Sequence, residues 1–284
     1  MTDLTFAEAI NKAAKELHAA GIDDARYEAR NLFLLIADFS STDLISAETR
    51  VIPNELEISY THAIHRRCGG EPFQHIVGTT EFFGLSLKTD ARALIPRPDS
   101  ECVVELALEQ LNHEHNGKVA DLGTGTGALL SAILYNHPNS LGIAIERSSR
   151  AASLATENLK ALGLGERSEI LNISWTEWSG WGDCDLIISN PPYIESAIIP
   201  TLQPEVRDHD PMDALDGGAD GLDAYREIIS LAAKHMKSDA CLVLEIGYDQ
   251  KVAVTDLLGS AGFIQIQHRK DLGGNDRAIA AKRP

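Results

Sequence analysis

From Lys118 onward, short apolar runs alternate with helical patterns, and this alternation restricts the possible folds more than any other feature of the chain. Strand-like runs fall near Lys118 to Asp121, Leu141 to Glu146, Glu169 to Ile173, Asp185 to Ser189, Ala240 to Ile246 and Phe263 to His268. Helix-like periodicity fills most of the gaps. Such a texture predicts an α/β fold, a doubly wound and mainly parallel sheet with helices on both faces. Ligands of these sheets bind beyond the C-terminal strand ends, so the loops after Asp121, Glu146, Ile173 and Ser189 are where chemistry is expected.

The residues ahead of this region read differently. Phe6, Ile10, Ala13 and Leu17 share one helical face, with Thr5 and Glu8 spaced as a capping box and Gly21 as a stop. Ala25, Ala29, Leu32 and Ile36 form a second apolar face. Leu56, Tyr60 and Ile64 form a third, between Pro53 and Cys68-Gly69-Gly70. Residues 1–72 are therefore expected as a small helical domain, although periodicity alone does not distinguish this from helices decorating a single larger domain. Residues 73–95 mix Phe, Val, Ile and Thr with Gly and alternate over Leu85-Ser86-Leu87, which predicts a β-hairpin linker. Residues 96–284 then form the α/β domain.

Composition narrows the function. Forty-two acidic against 25 basic residues leave a formal charge of −17, a field that repels a phosphate backbone, so no direct nucleic-acid contact is expected. Cys68, Cys102, Cys184 and Cys241 lie far apart with no C-x-x-C pair, which suits reduced thiols better than disulfides or structural zinc. The first residues lack the apolar core of a signal peptide, and no run approaches the roughly 20 apolar residues of a membrane helix. A cytoplasmic protein with no membrane contact is expected. His62 and His65, and likewise His113 and His115, lack carboxylates at ligand spacing and are read as solvated, so no metal is expected.

Two motifs carry chemistry. The first is Asp121-Leu122-Gly123-Thr124-Gly125-Thr126-Gly127-Ala128, which follows a strand and opens a helix. Glycines there let backbone approach a ligand closely and aim free N–H groups at it. Glu146 ends the next strand, where a carboxylate can accept both hydroxyls of a ribose. The loop also satisfies a relaxed G-x-G-x-x-A pattern, so by itself it leaves NAD and S-adenosylmethionine equally open.

The second motif is Asn190-Pro191-Pro192-Tyr193, directly after the apolar run Asp185–Ser189. Two prolines fix φ and carry no N–H, so the loop becomes a rigid platform of acceptors. An amide NH2 is a poor nucleophile because its lone pair is delocalised. If the Asn190 side-chain oxygen and the Pro191 carbonyl each accept one of its hydrogens, the lone pair is left facing a methyl donor. Tyr193 would offer its ring to a flat amide or base.

Taken with Leu94-Ile95-Pro96-Arg97-Pro98-Asp99-Ser100-Glu101, Asp216-Gly217-Gly218-Ala219-Asp220-Gly221-Leu222 and Asp271-Leu272-Gly273-Gly274-Asn275-Asp276-Arg277, these motifs resemble the bacterial glutamine N5-methyltransferases that modify the GGQ loop of peptide chain release factors. The resemblance covers nearly the whole chain. It implies a Rossmann-like class I methyltransferase with S-adenosylmethionine as cofactor, S-adenosylhomocysteine as product and release factors as partners. It places the cofactor on Gly123, Thr124, Gly125, Thr126, Gly127, Glu146, Trp175 and Asn190, and the substrate amide on Asn190, Pro191, Pro192 and Tyr193. Asn190, Pro191 and Tyr193 are the implied catalytic group. Glu146 stands where the family often has Asp, and Ser174 where an acidic residue is frequent. Trp178 and Trp181 are expected in the core or a lid, and Arg97 either at a substrate carbonyl or bracing a domain joint. The acids from Glu205 to Asp223 are read either as a solvated loop or as a face for a basic partner.

Other readings are glutamine methylation of a ribosomal protein, amino-methylation of DNA, a nicotinamide-dependent oxidoreductase and a non-catalytic binding module. DNA methylation would need a basic groove, which the charge opposes. The last two leave Asn190–Tyr193 unexplained.

Overall fold

A computed structural model describes residues 4–112, 114 and 116–284. The expected surface histidines His113 and His115 lie outside the described residues. The chain divides into two units. One comprises the residues up to Thr79 together with Pro204–His209; the other comprises Thr80–Gln203 and Asp210–Pro284. The division at Thr79 falls inside the segment expected as a linker.

The first unit is helical: α1 (Phe6–Ala19), α2 (Ala25–Ala37), α3 (Ser41–Ala47), α4 (Asn54–Cys68) and α5 (Phe73–Val77). Thr5 and Glu8 do form a capping box, with the Glu8 carboxylate accepting the Thr5 N–H at 2.8 Å. Phe6, Ala13, Leu17, Ala29, Leu32, Phe33, Tyr60 and Ile64 are buried together. Phe33 meets Phe6 and Tyr60 edge to face, with centroids 5.4 and 5.1 Å apart. Among these, Phe33 did not belong to the periodic set read from sequence. His62 and His65 are exposed on α4.

The second unit opens on a hairpin, β1 (Thr79–Phe82) and β2 (Leu85–Lys88), turned by Phe83 and Gly84, both at positive φ. That pair of left-handed residues is the I′ geometry whose twist matches the flanking strands. The hairpin starts later than the expected linker at residues 73–95, because Phe73–Val77 forms a short helix instead.

Then follow α6 (Glu101–Gln110), β3 (Lys118–Leu122), α7 (Ala128–Asn136), β4 (Leu141–Ile145), α8 (Ser149–Ala161), β5 (Ser168–Leu171) and β6 (Leu186–Ser189). The short helix α9 is Pro204–His209, after which come α10 (Asp223–His235), β7 (Cys241–Glu245), α11 (Lys251–Ser260), β8 (Ile264–Lys270) and β9 (Asp276–Lys282). The seven-stranded sheet runs β5-β4-β3-β6-β7-β9-β8, parallel except that β9 is antiparallel to both β7 and β8. The doubly wound, mainly parallel architecture is thus as expected, with β9 added. Its Ala-rich sequence, DRAIAAK, has weak strand propensity and is held by burial between two neighbours instead.

The order of strands fixes where a ligand can sit. The chain passes from β3 outward through β4 to β5, then returns to the other side of β3 with β6. Loops leaving β3 and β6 therefore diverge, and the crevice between their C-terminal ends is the switch point of the sheet. The glycine loop leaves β3, and Asn190–Tyr193 leaves β6. Helices cover both faces: α6 and α7 bury Val103, Leu106, Leu130 and Ile133 on one side. On the other, α10 and α11 bury Tyr225, Ile228 and Val254 alongside Trp178 and Trp181. The two tryptophans are core, with ring centroids 5.4 Å apart. No helix of the described residues is long and apolar enough to cross a membrane.

Candidate active site

Gly123, Gly125 and Gly127 all adopt positive φ, at 69°, 56° and 82°, a region that strains any residue with a Cβ. The loop is pinned from below. Both Gly123 and Thr124 donate their N–H to the Ile145 carbonyl, at 2.8 and 3.1 Å, and Gly127 donates to the Thr124 carbonyl at 2.8 Å. The Thr124 hydroxyl donates to Asp121 at 2.6 Å. Asp121 is buried, and burial pushes its carboxyl up to about 7 despite that hydroxyl.

Glu146 faces the loop from the end of β4. Its carboxylate accepts the Gly125 N–H at 3.0 Å and the Ser148 N–H at 2.8 Å, and it is only 8% exposed. Asn172 donates to the Glu146 carbonyl at 2.8 Å, which ties β5 to the same corner. A Cβ on Gly123 would lie 3.4 Å from the Trp175 ring, so the indole packs on the loop where glycine leaves room. The Trp175 indole N–H donates to Glu227 of α10 at 2.5 Å. Ser174 occupies the cavity wall beside it, its hydroxyl 2.8 Å from that of Thr176.

These groups surround one cavity of about 420 Å³. Gly123, Thr124, Gly125, Thr126, Glu146, Trp175, Asn190 and Pro192 all line it. Gly127, Pro191 and Tyr193 do not line it. Gly127 instead packs against Ala155 of α8, where a Cβ would meet the helix backbone at 3.5 Å.

Tyr193 is turned inward. Its ring packs against the core below the α10 face, and its hydroxyl donates to the buried Glu245 at 3.2 Å. Burial raises the Tyr193 hydroxyl pKa, with Glu245 adding to the effect. Burial also pushes Glu245 up to about 6, and Arg277 pulls against it. Arg277 is held by Asp271 at 3.2 Å and lies 3.6 Å from Asp99. The motifs around Asp99 and Asp271–Arg277 thus meet under the Asn-Pro-Pro-Tyr loop.

The glycine-rich segment after Asp216 is explained by the same loop. Ile194 bridges Asp216, with the Gly217 N–H donating to the Ile194 carbonyl at 2.8 Å. A Cβ on Gly217 would fall 2.7 Å from Tyr193 Cα, and one on Gly221 would fall 2.4 Å from the Tyr193 carbonyl oxygen. Only glycine permits that approach.

Arg97 lines the cavity and pairs with the buried Asp210 at 2.8 Å. The acids of the loop that follows Asn190–Tyr193 are engaged within the chain. Glu205 pairs with Arg67, Asp208 with Arg207, Asp213 with Arg147, and Asp220 and Asp223 with Arg226; Asp216 accepts the Ser196 hydroxyl at 2.6 Å. Most of the charge that suggested a face for a basic partner is therefore already neutralised.

Relatives decide the family. The chain is 38% identical to the release factor glutamine methyltransferase of Agrobacterium fabrum, over 99% of this chain and 98% of that protein. It is 37% identical to the release factor glutamine methyltransferase of Caulobacter vibrioides, over 97% and 96% respectively. The chain belongs to the release factor glutamine methyltransferase family. Within that family's organisation, the PrmC N-terminal domain model matches residues 8–78 and the methyltransferase small domain model matches residues 102–201. Among solved structures, the hMettl16 catalytic domain in complex with MAT2A 3'UTR hairpin 6 shares the fold. Its TM-score is 0.58 at 15% identity, over 88% of this chain and 92% of that one.

Proposed function

We propose that this member of the release factor glutamine methyltransferase family transfers a methyl group from S-adenosylmethionine to the side-chain amide nitrogen of the glutamine in the GGQ loop of peptide chain release factors. The observation that carries the reading is that Asn190 and the glycine loop line one cavity. A cofactor held by the loop would therefore lie within reach of Asn190, the first residue of the amide platform.

The residues present fit such a cofactor. Glu146 offers a carboxylate suited to ribose hydroxyls, Trp175 offers an aromatic face for a base, and Gly123–Gly127 open the start of α7. S-adenosylmethionine supplies an electrophilic methyl on a sulfonium, a leaving group good enough to need no metal. The protein's share is positioning. The Asn190 side-chain oxygen and the Pro191 carbonyl accept the two hydrogens of the glutamine amide and direct its lone pair toward the donor. Held by the glycine loop, Glu146 and Trp175, the sulfonium would supply the methyl and keep the S–C bonding pair, and the methylated nitrogen would give its surplus proton to water. Tyr193 acts from inside, as the strut that holds the platform to Glu245.

The helices before Thr79 serve partner recognition, and residues 96–284 carry the transfer. Work on release factors implies a role in translation termination and a cytoplasmic location. Mass spectrometry of a release factor incubated with this protein and methyl-labelled S-adenosylmethionine tests the reading, beside Asn190→Ala. Label on the GGQ glutamine that disappears in the variant is the expected result. An unlabelled release factor, with cofactor binding intact, would redirect the search to other glutamine-bearing proteins, ribosomal ones first.

A further inference from the structure

The Asn-Pro-Pro-Tyr loop has few means of holding itself in place. Pro191 and Pro192 have no N–H to donate, so the backbone between Asn190 and Tyr193 cannot be tied by its own donors. Its upstream end is fixed by β6, where the Ser189 hydroxyl donates to the Leu122 carbonyl at 2.7 Å. The downstream end is held by the Ile194–Asp216 bridge, by the Tyr193 hydroxyl on Glu245 and, at the Tyr193 carbonyl itself, by a side chain from another element. Gln250, in the loop between β7 and α11, donates from Nε2 to the Tyr193 carbonyl at 2.9 Å and to the Gly221 carbonyl at 3.1 Å. Its Oε1 accepts the Gly247 N–H at 3.0 Å and lies 3.3 Å from the Tyr225 hydroxyl.

Every polar atom of the Gln250 amide is therefore engaged, and the acceptance of the Gly247 N–H fixes which end carries the NH2 group. Gln250 stands at the N-cap position of α11, yet its side chain makes no capping bond. The amide is directed to the Tyr193 loop instead. A Cβ on Gly221 would lie 2.6 Å from Gln250 Nε2, and one on Gly247 would lie 2.8 Å from Oε1. Two glycines thus leave the space this side chain fills. Gln250 does not line the cavity.

We infer that Gln250 is a positioning residue for methyl transfer: by anchoring the Tyr193 carbonyl, it sets the direction of the Pro191 carbonyl two peptide units upstream. The Pro192 ring fixes one of the four torsions between the two carbonyls, and the inward packing of the Tyr193 ring and its bond to Glu245 restrain the residue after it, so a shift at Tyr193 reaches the acceptor platform. The inference rests on the proposed reaction and adds a residue to it that touches neither cofactor nor substrate.

The test compares wild type with Gln250→Met, which keeps length and loses all four bonds, and Gln250→Glu, which keeps an acceptor for Gly247 and loses the donors. Single-turnover methylation of a release factor is measured at saturating labelled S-adenosylmethionine, at a temperature where circular dichroism shows each variant folded. The expected result is a transfer rate ~10- to 100-fold lower in both variants, in line with the cost of a misplaced reacting group. KM for the release factor and Kd for S-adenosylmethionine stay within about twofold of wild type under the same positioning argument. If Gln250→Met does not fold, Gln250→Glu decides alone. A folded variant that transfers methyl at the wild-type rate, or whose whole loss lies in KM, overturns the inference while leaving the reaction intact. A wild-type protein that leaves the release factor unlabelled overturns the reaction itself, and this role with it.

Discussion

The Gly125 amide donates to the Glu146 carboxylate at 3.0 Å across 21 positions of sequence. The glycine loop and the end of β4 are therefore one corner rather than two neighbouring features. Because Glu146 also accepts the Ser148 N–H, the carboxylate is oriented in advance of any ligand. Glu146→Ala should weaken S-adenosylmethionine binding by about 10- to 100-fold, the range expected for hydrogen bonds to a charged group. Titration calorimetry measures this directly, and an unchanged Kd would remove Glu146 from the cofactor site.

Trp175 covers Gly123 and is steered by Glu227. Trp175→Ala should cost about 1–3 kcal/mol of cofactor binding, the usual worth of an aromatic platform under a base. Trp175→Phe keeps a ring but drops the bond to Glu227, and should fall between that variant and wild type. Equal affinities for all three would place the base elsewhere in the cavity.

Gly221 has φ of 70° and no room for a Cβ beside the Tyr193 carbonyl. Gly221→Ala should destabilise the protein by about 2 kcal/mol or more, from backbone strain and forced movement of the loop. Methyl transfer should fall in the molecules that remain folded. Urea unfolding followed by tryptophan fluorescence, beside the activity assay, reads both effects. A variant as stable and active as wild type would show that the loop tolerates displacement.

Asp121 and Glu245 carry native pKa values of about 7 and about 6, both raised by burial. The folded state binds these protons more tightly than the unfolded chain does. Their contribution to stability is complete below about pH 4 and is lost as pH rises through about 6 to 7. Asp121→Asn removes one of the two groups, and Asn can still accept from the Thr124 hydroxyl. Its stability relative to wild type should rise between about pH 4 and 8, by up to ~1.4 kcal/mol per pH unit. A difference that stays flat across that window would mean Asp121 is ionised without penalty.

What was legible in the sequence shares one property: it is local and repetitive, or it sits at a strand end. The alternation after Lys118, the capping box at Thr5, the glycine loop, Glu146 and Asn190 all declare themselves within a few residues. Glu227, Glu245 and Gln250 do not. Each acts through a partner tens of positions away, such as Trp175 or Tyr193, and an acid or amide on an ordinary helix or strand end carries no spacing that announces this. Tyr193 shows the same limit from the other side. Its motif marks the loop, but only the packing reveals that its hydroxyl is turned to Glu245. β9 carries no such local signal, because alanines fit a strand only where neighbours bury them.

Six residues of the catalytic half of the sequence, Pro204–His209, group with the N-terminal helices. There Glu205 joins Glu28 in neutralising the buried guanidinium of Arg67, with Glu28 at 2.6 Å. The modules of this chain are consequently not separable by one cut. A fragment ending at Thr79 would keep Arg67 but lose one of its two carboxylates, and a fragment starting at Thr80 would carry a helix with nothing to grip. Grafting the helical module onto another catalytic body, in the laboratory or by recombination, would have to bring along a six-residue passenger encoded more than a hundred codons downstream.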